Sequence, residues 1–163
     1  FDTVEREQIE TLPDALAAGE FGWRDVEWVV RWYYLRPGLG VSDDRRRTAE
    51  EQFGDNGYEA VADAIVRAVE ATDTDGKVAA LTSLDGVDVP VASAFLAFLH
   101  PNEFVAVDEL VWGALREVSD LSRPYPDRVT PADYGEYLAA VRTVADRANR
   151  DCWTVYRALW RLD

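Results

Sequence analysis

LTSLDGVDVPVASAFLAFLHPNEFVAVDELVWGAL, residues Leu81 to Leu115, decides the architecture of this chain. Val78, Leu81 and Leu84 recur at helical spacing, and Gly86 follows where that helix must stop, because glycine accepts a positive φ at little steric cost. Pro90 suits the first turn of a new helix, where its missing N–H breaks no bond. From Val91 to Leu99 every residue except Ser93 is apolar or small, so this helix is expected to be wrapped by others rather than to lie on a surface. Asp108 then stands before a further helix, Asp108 to Val118, with Leu110, Val111 and Leu115 on one side.

Outward from that unit the reading is helical almost everywhere. Asp2 with Glu5 makes a start like a capping box, and Ile9, Leu12 and Leu16 form a stripe that Pro13 is expected to split or bend. Residues 22–35 carry Trp23, Val26, Val29, Val30 and Tyr33 before Arg36-Pro37-Gly38 stops them. Residues 42–54 read as a short charged helix and residues 58–71 as another, with Val61, Ile65 and Val69 inward. Residues 121–128, with two prolines, read as a loop. Thr130-Pro131-Ala132-Asp133 opens a helix with Tyr134, Tyr137, Leu138, Val141 and Ala148 in register, and Asp151 caps a last one carrying Trp153, Tyr156, Leu159 and Trp160. Phe104 to Val107 is the one candidate strand, and a short one.

Composition narrows the class. A chain of 163 residues, 48% hydrophobic and with six Trp, is long enough for one domain with a substantial core. It has no apolar run of about eighteen residues, so no membrane-spanning helix is expected. One cysteine, Cys152, excludes an internal disulfide and an all-protein iron–sulfur cluster. The chain opens at Phe1 without Met or a signal-like segment, so the expectations are a native start upstream of this numbering and a cytoplasmic protein. The net charge is −14, and the 17 basic residues include a single lysine, Lys77. An acidic surface that avoids lysine resembles proteins of salt-accumulating archaea. Such a surface repels DNA at low ionic strength, whereas at molar salt the Debye length is about 3 Å and the net field counts for little.

The order helix, tight hairpin, buried helix and lone Asp resembles the helix-hairpin-helix core of base-excision DNA glycosylases. In that family a stretch similar to LPGVGxxTA is followed some twenty residues later by VD; here Leu84-Asp85-Gly86-Val87-Asp88 and Val107-Asp108 stand in those places. The resemblance implies a single all-α domain with a helix-hairpin-helix unit over residues 76–100. It implies DNA as partner, a hairpin (Leu84, Gly86, Val87, Asp88, Val89) whose backbone approaches phosphate, and Asp108 as the carboxylate that stabilises an oxocarbenium-like sugar. That role is chemically sound, because breaking an N-glycosidic bond develops positive charge on the sugar. Asp is equally favoured as a plain N-cap, and the two roles can coexist.

The chain also departs from the pattern. Pro90 stands where bifunctional members carry the lysine that forms a Schiff base, which removes lyase chemistry by that route and leaves base removal by water. Asp88 replaces the second hairpin glycine, where a carboxylate repels phosphate unless it bonds its own backbone as a turn residue does. Leu110 stands where the family often has His.

A flipped base is held by stacking and by hydrogen bonds to its edge. Trp28, Trp32, Tyr33 and Arg36, with Trp112 one turn after Asp108, are the candidates for such a pocket, although aromatics at helical spacing more often form core. Arg45-Arg46-Arg47 could touch phosphate, but flanking Asp43, Asp44, Glu50 and Glu51 make internal ion pairing the better expectation. His100, the only histidine, reads as a helix-end residue, Cys152 as a buried small residue, and no cofactor or metal motif appears. Two readings follow: a monofunctional DNA glycosylase or related lesion binder, and a catalytically silent all-α protein that keeps the hairpin as scaffold and uses its surface, the aromatic helix Trp153 to Trp160 included, for a protein partner.

Overall fold

The computed structural model describes residues 2–36 and 39–161, apart from the side chain of Asp2. Among them are nine α-helices and no strand: α1 (Asp2–Ala18), α2 (Trp23–Leu35), α3 (Asp43–Gly54), α4 (Tyr58–Glu70), α5 (Thr74–Thr82), α6 (Val89–Leu99), α7 (Glu109–Val118), α8 (Pro131–Ala148) and α9 (Cys152–Trp160). The chain is therefore an all-α domain built around one core.

α6 is that core's axis, packed against α1, α2, α5 and α8. Every residue in it except Pro90 is buried, and its large side chains, Phe95, Leu96, Phe98 and Leu99, each contribute roughly 1.5–3 kcal/mol of burial. Its one polar residue, Ser93, is explained by the segment it touches. Residues 104–107 run extended through the core beside α6, and buried backbone without a ladder needs other partners. Val107 N donates to Ser93 Oγ (2.9 Å), while the carbonyls of Val105, Ala106 and Val107 accept the hydroxyls of Tyr134, Tyr137 and Tyr33 at 2.8, 2.8 and 2.9 Å. No strand forms there because three tyrosines and a serine do the work of a neighbouring strand.

The predicted caps at Asp108, Thr130 and Asp151 hold their helices, and Asp88, read from sequence as a turn residue, caps α6 as well. Asp88, Asp108 and Asp151 each accept the amide three residues on, from Val91, Val111 and Thr154. Thr130 and Asp133 form a reciprocal capping box, and Asn149, with φ +53°, closes α8 in the left-handed conformation. Lys77 is buried, and its ammonium donates to Ala68 O (2.8 Å) near the C-terminus of α4, where cations are favoured.

Three expectations need correction. Pro13 lies inside an unbroken α1, because the Leu12 and Leu16 face is buried in the core on both sides of it. The capping partner proposed for Glu5, the Asp2 side chain, lies outside the described residues; Glu5 itself is buried, accepting Trp32 Nε1 (2.7 Å) and pairing with Arg157. Ala148 is exposed, and Ala145 fills the inward position instead, since α8 has run past its neighbours by its last turn. Pro37 and Gly38, expected to stop α2, also lie outside the described residues.

Candidate functional site

α5 and α6 are joined by a tight turn over residues 83–88. Gly86 has φ +75°, and a Cβ there would stand 2.7 Å from Phe53 N and 2.9 Å from Ala49 O. Glycine is thus required twice, by its conformation and by the close approach of α3. Asn56 fixes the same turn from beyond α3: its Nδ2 donates to Asp85 O (2.9 Å) and its Oδ1 accepts Asp85 N (3.0 Å).

In front of this turn opens a cavity of about 1190 Å3, somewhat larger than the roughly 300–1,000 Å3 usual for ligand clefts. Its walls are the hairpin from Gly86 to Pro90, Tyr33 and Tyr34 at the end of α2, the inner face of α3, Asp108 and Glu109 at the start of α7, and the loop from Tyr125 to Val129. That loop is pinned: Trp112 Nε1 donates to Arg123 O (2.9 Å), Arg123 pairs with Asp133 and Glu136, and Tyr125 packs edge-on against Trp112 with centroids 5.6 Å apart.

Asp108 sits at the base of the cavity with both oxygens engaged. Oδ1 accepts Val111 N (2.8 Å); Oδ2 accepts Arg36 Nη1 (2.7 Å) and the Tyr156 hydroxyl (3.0 Å). Arg36 Nη1 also donates to the Tyr156 oxygen. The side chains of Arg36 and Asp108 are each only 1% exposed, so the pair is shielded from water and its attraction is little screened. The guanidinium lies over the rings of Trp32 (4.6 Å) and Tyr33 (4.5 Å). Its Nη2 has no hydrogen-bond partner among the described residues, and these electron-rich ring faces are what offset that loss.

The tyrosines of the wall are kept neutral. Burial pushes Tyr34 up to about 12, reinforced by Asp88. Burial likewise pushes Tyr125 up to about 12, Asp108 adding to the shift and the Tyr33 hydroxyl opposing it. Tyr33 is raised well above its ordinary value by burial, against the pull of Arg36. All three stay neutral at physiological pH, able to stack and to hydrogen-bond. Formal charge on the walls is nearly balanced: Arg45 and Arg128 face Asp88, Glu109 and Asp127, with Asp108 neutralised by Arg36. In a chain of net charge −14 this is a locally mild surface.

The structure brings Asp108, Tyr33 and the hairpin residues Gly86, Val87, Asp88 and Val89 to one cavity. Leu84 is buried beneath the hairpin. Trp28, Trp32 and Trp112 do not line it. Trp32 and Trp112 are fully buried, and Trp28 and Trp32 pack edge-on against Phe98, which is the core role that aromatics at helical spacing more often take. Arg36 lies behind Asp108 rather than on the wall. Of the arginine triplet only Arg46 is in ion pairs, with Asp43 and Glu50; Arg45 lines the cavity. Asp88 is exposed but spends Oδ1 on Val91 N (3.0 Å), the local bond expected of a turn residue. His100 does not bond the last carbonyls through its ring: Nε2 is buried without a partner. Cys152 is buried, and burial raises its thiol above the ordinary value.

Sequence reasoning missed Tyr125, Tyr156 and Arg128 as members of this region. Tyr125 and Arg128 sit in a loop whose prolines signalled only irregular structure, and Tyr156 reads as one more core aromatic. The chain matches no protein-family model, no curated protein and no solved structure.

Proposed function

We propose that this protein is a base-excision-type nucleic-acid binder of the monofunctional glycosylase kind, taking an unstacked nucleoside into the cavity beneath the hairpin. One observation carries the reading: the hairpin Gly86–Pro90, Asp108 and the neutral Tyr33, Tyr34 and Tyr125 all line one open cavity of about 1190 Å3. Stacking on tyrosine and hydrogen bonds to the base edge are what hold an extruded base, and a carboxylate at the base of the site stabilises positive charge developing on the sugar. Chemistry would end at base removal by water. The hairpin offers Pro90 and not an amine, and the chain's only lysine, Lys77 in α5, is buried with its ammonium on the last carbonyls of α4. The same reading places the protein in the cytoplasm with the DNA.

A second reading is favoured by a specific observation. Arg36, Tyr156 and Val111 N occupy both oxygens of Asp108. A carboxylate so neutralised offers less to a cationic transition state, and a site of this kind binds without hydrolysing.

The deciding experiment is binding of a labelled duplex carrying a cationic abasic-site analogue, against undamaged duplex, near molar potassium chloride. Wild type, Asp108→Asn and Tyr125→Ala are compared, with circular dichroism reporting the fold of each. Preference for the analogue in wild type, weakened in Tyr125→Ala and lost in a folded Asp108→Asn, supports the glycosylase reading. Preference that survives Asp108→Asn assigns the site to lesion binding without catalysis. Equal or absent binding by folded wild type sinks the nucleic-acid reading and leaves the hairpin as scaffold.

A further inference from the structure

The arginines of this chain divide by what they do. Arg31, Arg36, Arg46, Arg67 and Arg123 are in ion pairs with carboxylates. Arg45 and Arg128, both exposed and both on the cavity wall, make no ion pair or side-chain hydrogen bond among the described residues. Arg6, Arg24, Arg47, Arg147, Arg150 and Arg161 are likewise without an ion pair among the described residues; what sets Arg45 and Arg128 apart is that they are the two arginines on the cavity wall. The two stand on separate elements, Arg45 in the first turn of α3 and Arg128 in the loop before α8, and Tyr33, Tyr34 and Tyr125 line the same cavity.

The wall is also more favourable to anions than its carboxylates suggest. α6, α7 and α8 all begin on it, with Val89, Glu109 and Pro131 among the lining residues, and each helix start carries the partial positive charge of the helix dipole, part of it met by the caps Asp88, Asp108 and Thr130. Asp88 is already spent capping α6.

We infer that Arg45 and Arg128 are phosphate-holding residues that grip a single strand on either side of one unstacked nucleotide, whose base lies against the cavity tyrosines. The inference rests on the nucleic-acid reading above and names its substrate form. A single strand, or a nucleotide extruded from a duplex, presents two phosphates and one free base face; an intact duplex presents phosphates but no free base face. Two contacts are few, which suits an acidic protein at high salt. Electrostatic affinity for a single strand falls with salt by a log–log slope of about −0.7 per phosphate neutralised, so two arginines give about −1.4.

The test is fluorescence anisotropy with labelled single-stranded oligonucleotides, one carrying a central cationic abasic analogue and one undamaged, over a potassium chloride series near molar. There the Debye length is about 3 Å and the net charge is screened. Arg45→Gln and Arg128→Gln are each expected to weaken binding and to flatten the slope by about 0.7, the double variant bringing it near zero. Arg147→Gln, an exposed arginine away from the cavity, should leave the slope as it is. Asp127→Asn and Glu109→Gln should tighten binding. Preference for the analogue with a slope that neither cavity arginine changes overturns the inference and leaves the functional reading in place. An arginine-dependent slope without preference for the analogue does the reverse. Absence of binding to either oligonucleotide by folded protein overturns both.

Discussion

Asp88 and Asp108 have the same local role and opposite surroundings. Each follows a valine, each caps a helix through Oδ1, and each lines the same cavity. Asp88 is exposed, with water available to its second oxygen. Asp108 is 1% exposed, and its second oxygen is held by Arg36 and Tyr156. Capping is a property of the two or three residues around an aspartate. What the charge does depends on partners from elsewhere in the chain. The difference separates a residue that tunes the rim of the cavity from one that holds its base together.

Stability measurements can break that comparison, and the largest effect is expected at Asp108. Asp108→Asn leaves the Arg36 guanidinium buried without its counter-charge, which costs about 3–5 kcal/mol. Asp88→Asn keeps the cap and exposes nothing, so it should cost well under about 1 kcal/mol. Urea denaturation midpoints of the two variants at one salt concentration make the test, and equal losses would mean that the Arg36 pair contributes nothing. Next in size is the coupling itself. Adding Arg36→Met to Asp108→Asn removes the orphaned charge, so the double variant should be more stable than the two single losses predict, by up to about 3 kcal/mol. Strict additivity would show that the two charges do not sense each other. Ser93→Ala should follow at about 1–3 kcal/mol, because Val107 N would lose its buried acceptor. A loss no larger than that of an exposed serine would refute the account of the extended segment 104–107.

How much of this was legible follows from the reach of each interaction. α6 was legible because burial on every side writes itself into consecutive apolar residues. The caps at Asp108, Thr130 and Asp151 were legible because donor and acceptor lie three residues apart. The cluster around Asp108 was not: Arg36 is 72 positions away and Tyr156 is 48, and no local pattern marks residues that meet only after folding. The aromatic pocket was half legible. Tyr33 was identified, but Trp32 and Trp112 carry the same spacing signal and went into the core, because helical periodicity says which residues share a face and not what that face meets. Arg45 was masked by its neighbours: a triplet flanked by acids suggests mutual pairing, yet only Arg46 lies where Asp43 and Glu50 can reach it.

The smallest effect concerns a half-buried side chain, the counterpart to Asp108, one of whose buried atoms has no hydrogen-bond partner among the described residues. His100 closes α6 with Nε2 buried and unbonded, its ring centroid 6.0 Å from that of Phe104. Burial, reinforced by the nearby Lys77 ammonium, holds its pKa below the ordinary value of 6.5. As pH falls through that value the unfolded chain takes up the proton first, so stability declines until the depressed folded value is also passed, and the decline then levels off. The chain has one histidine, so this step carries a single-residue signature. Denaturation midpoints measured between about pH 8 and about pH 5 should fall on the acid side in wild type and lose that component in His100→Gln. A profile that is identical in the two proteins would mean that the imidazole is solvated in the folded state and that its Nε2 finds its partner in water.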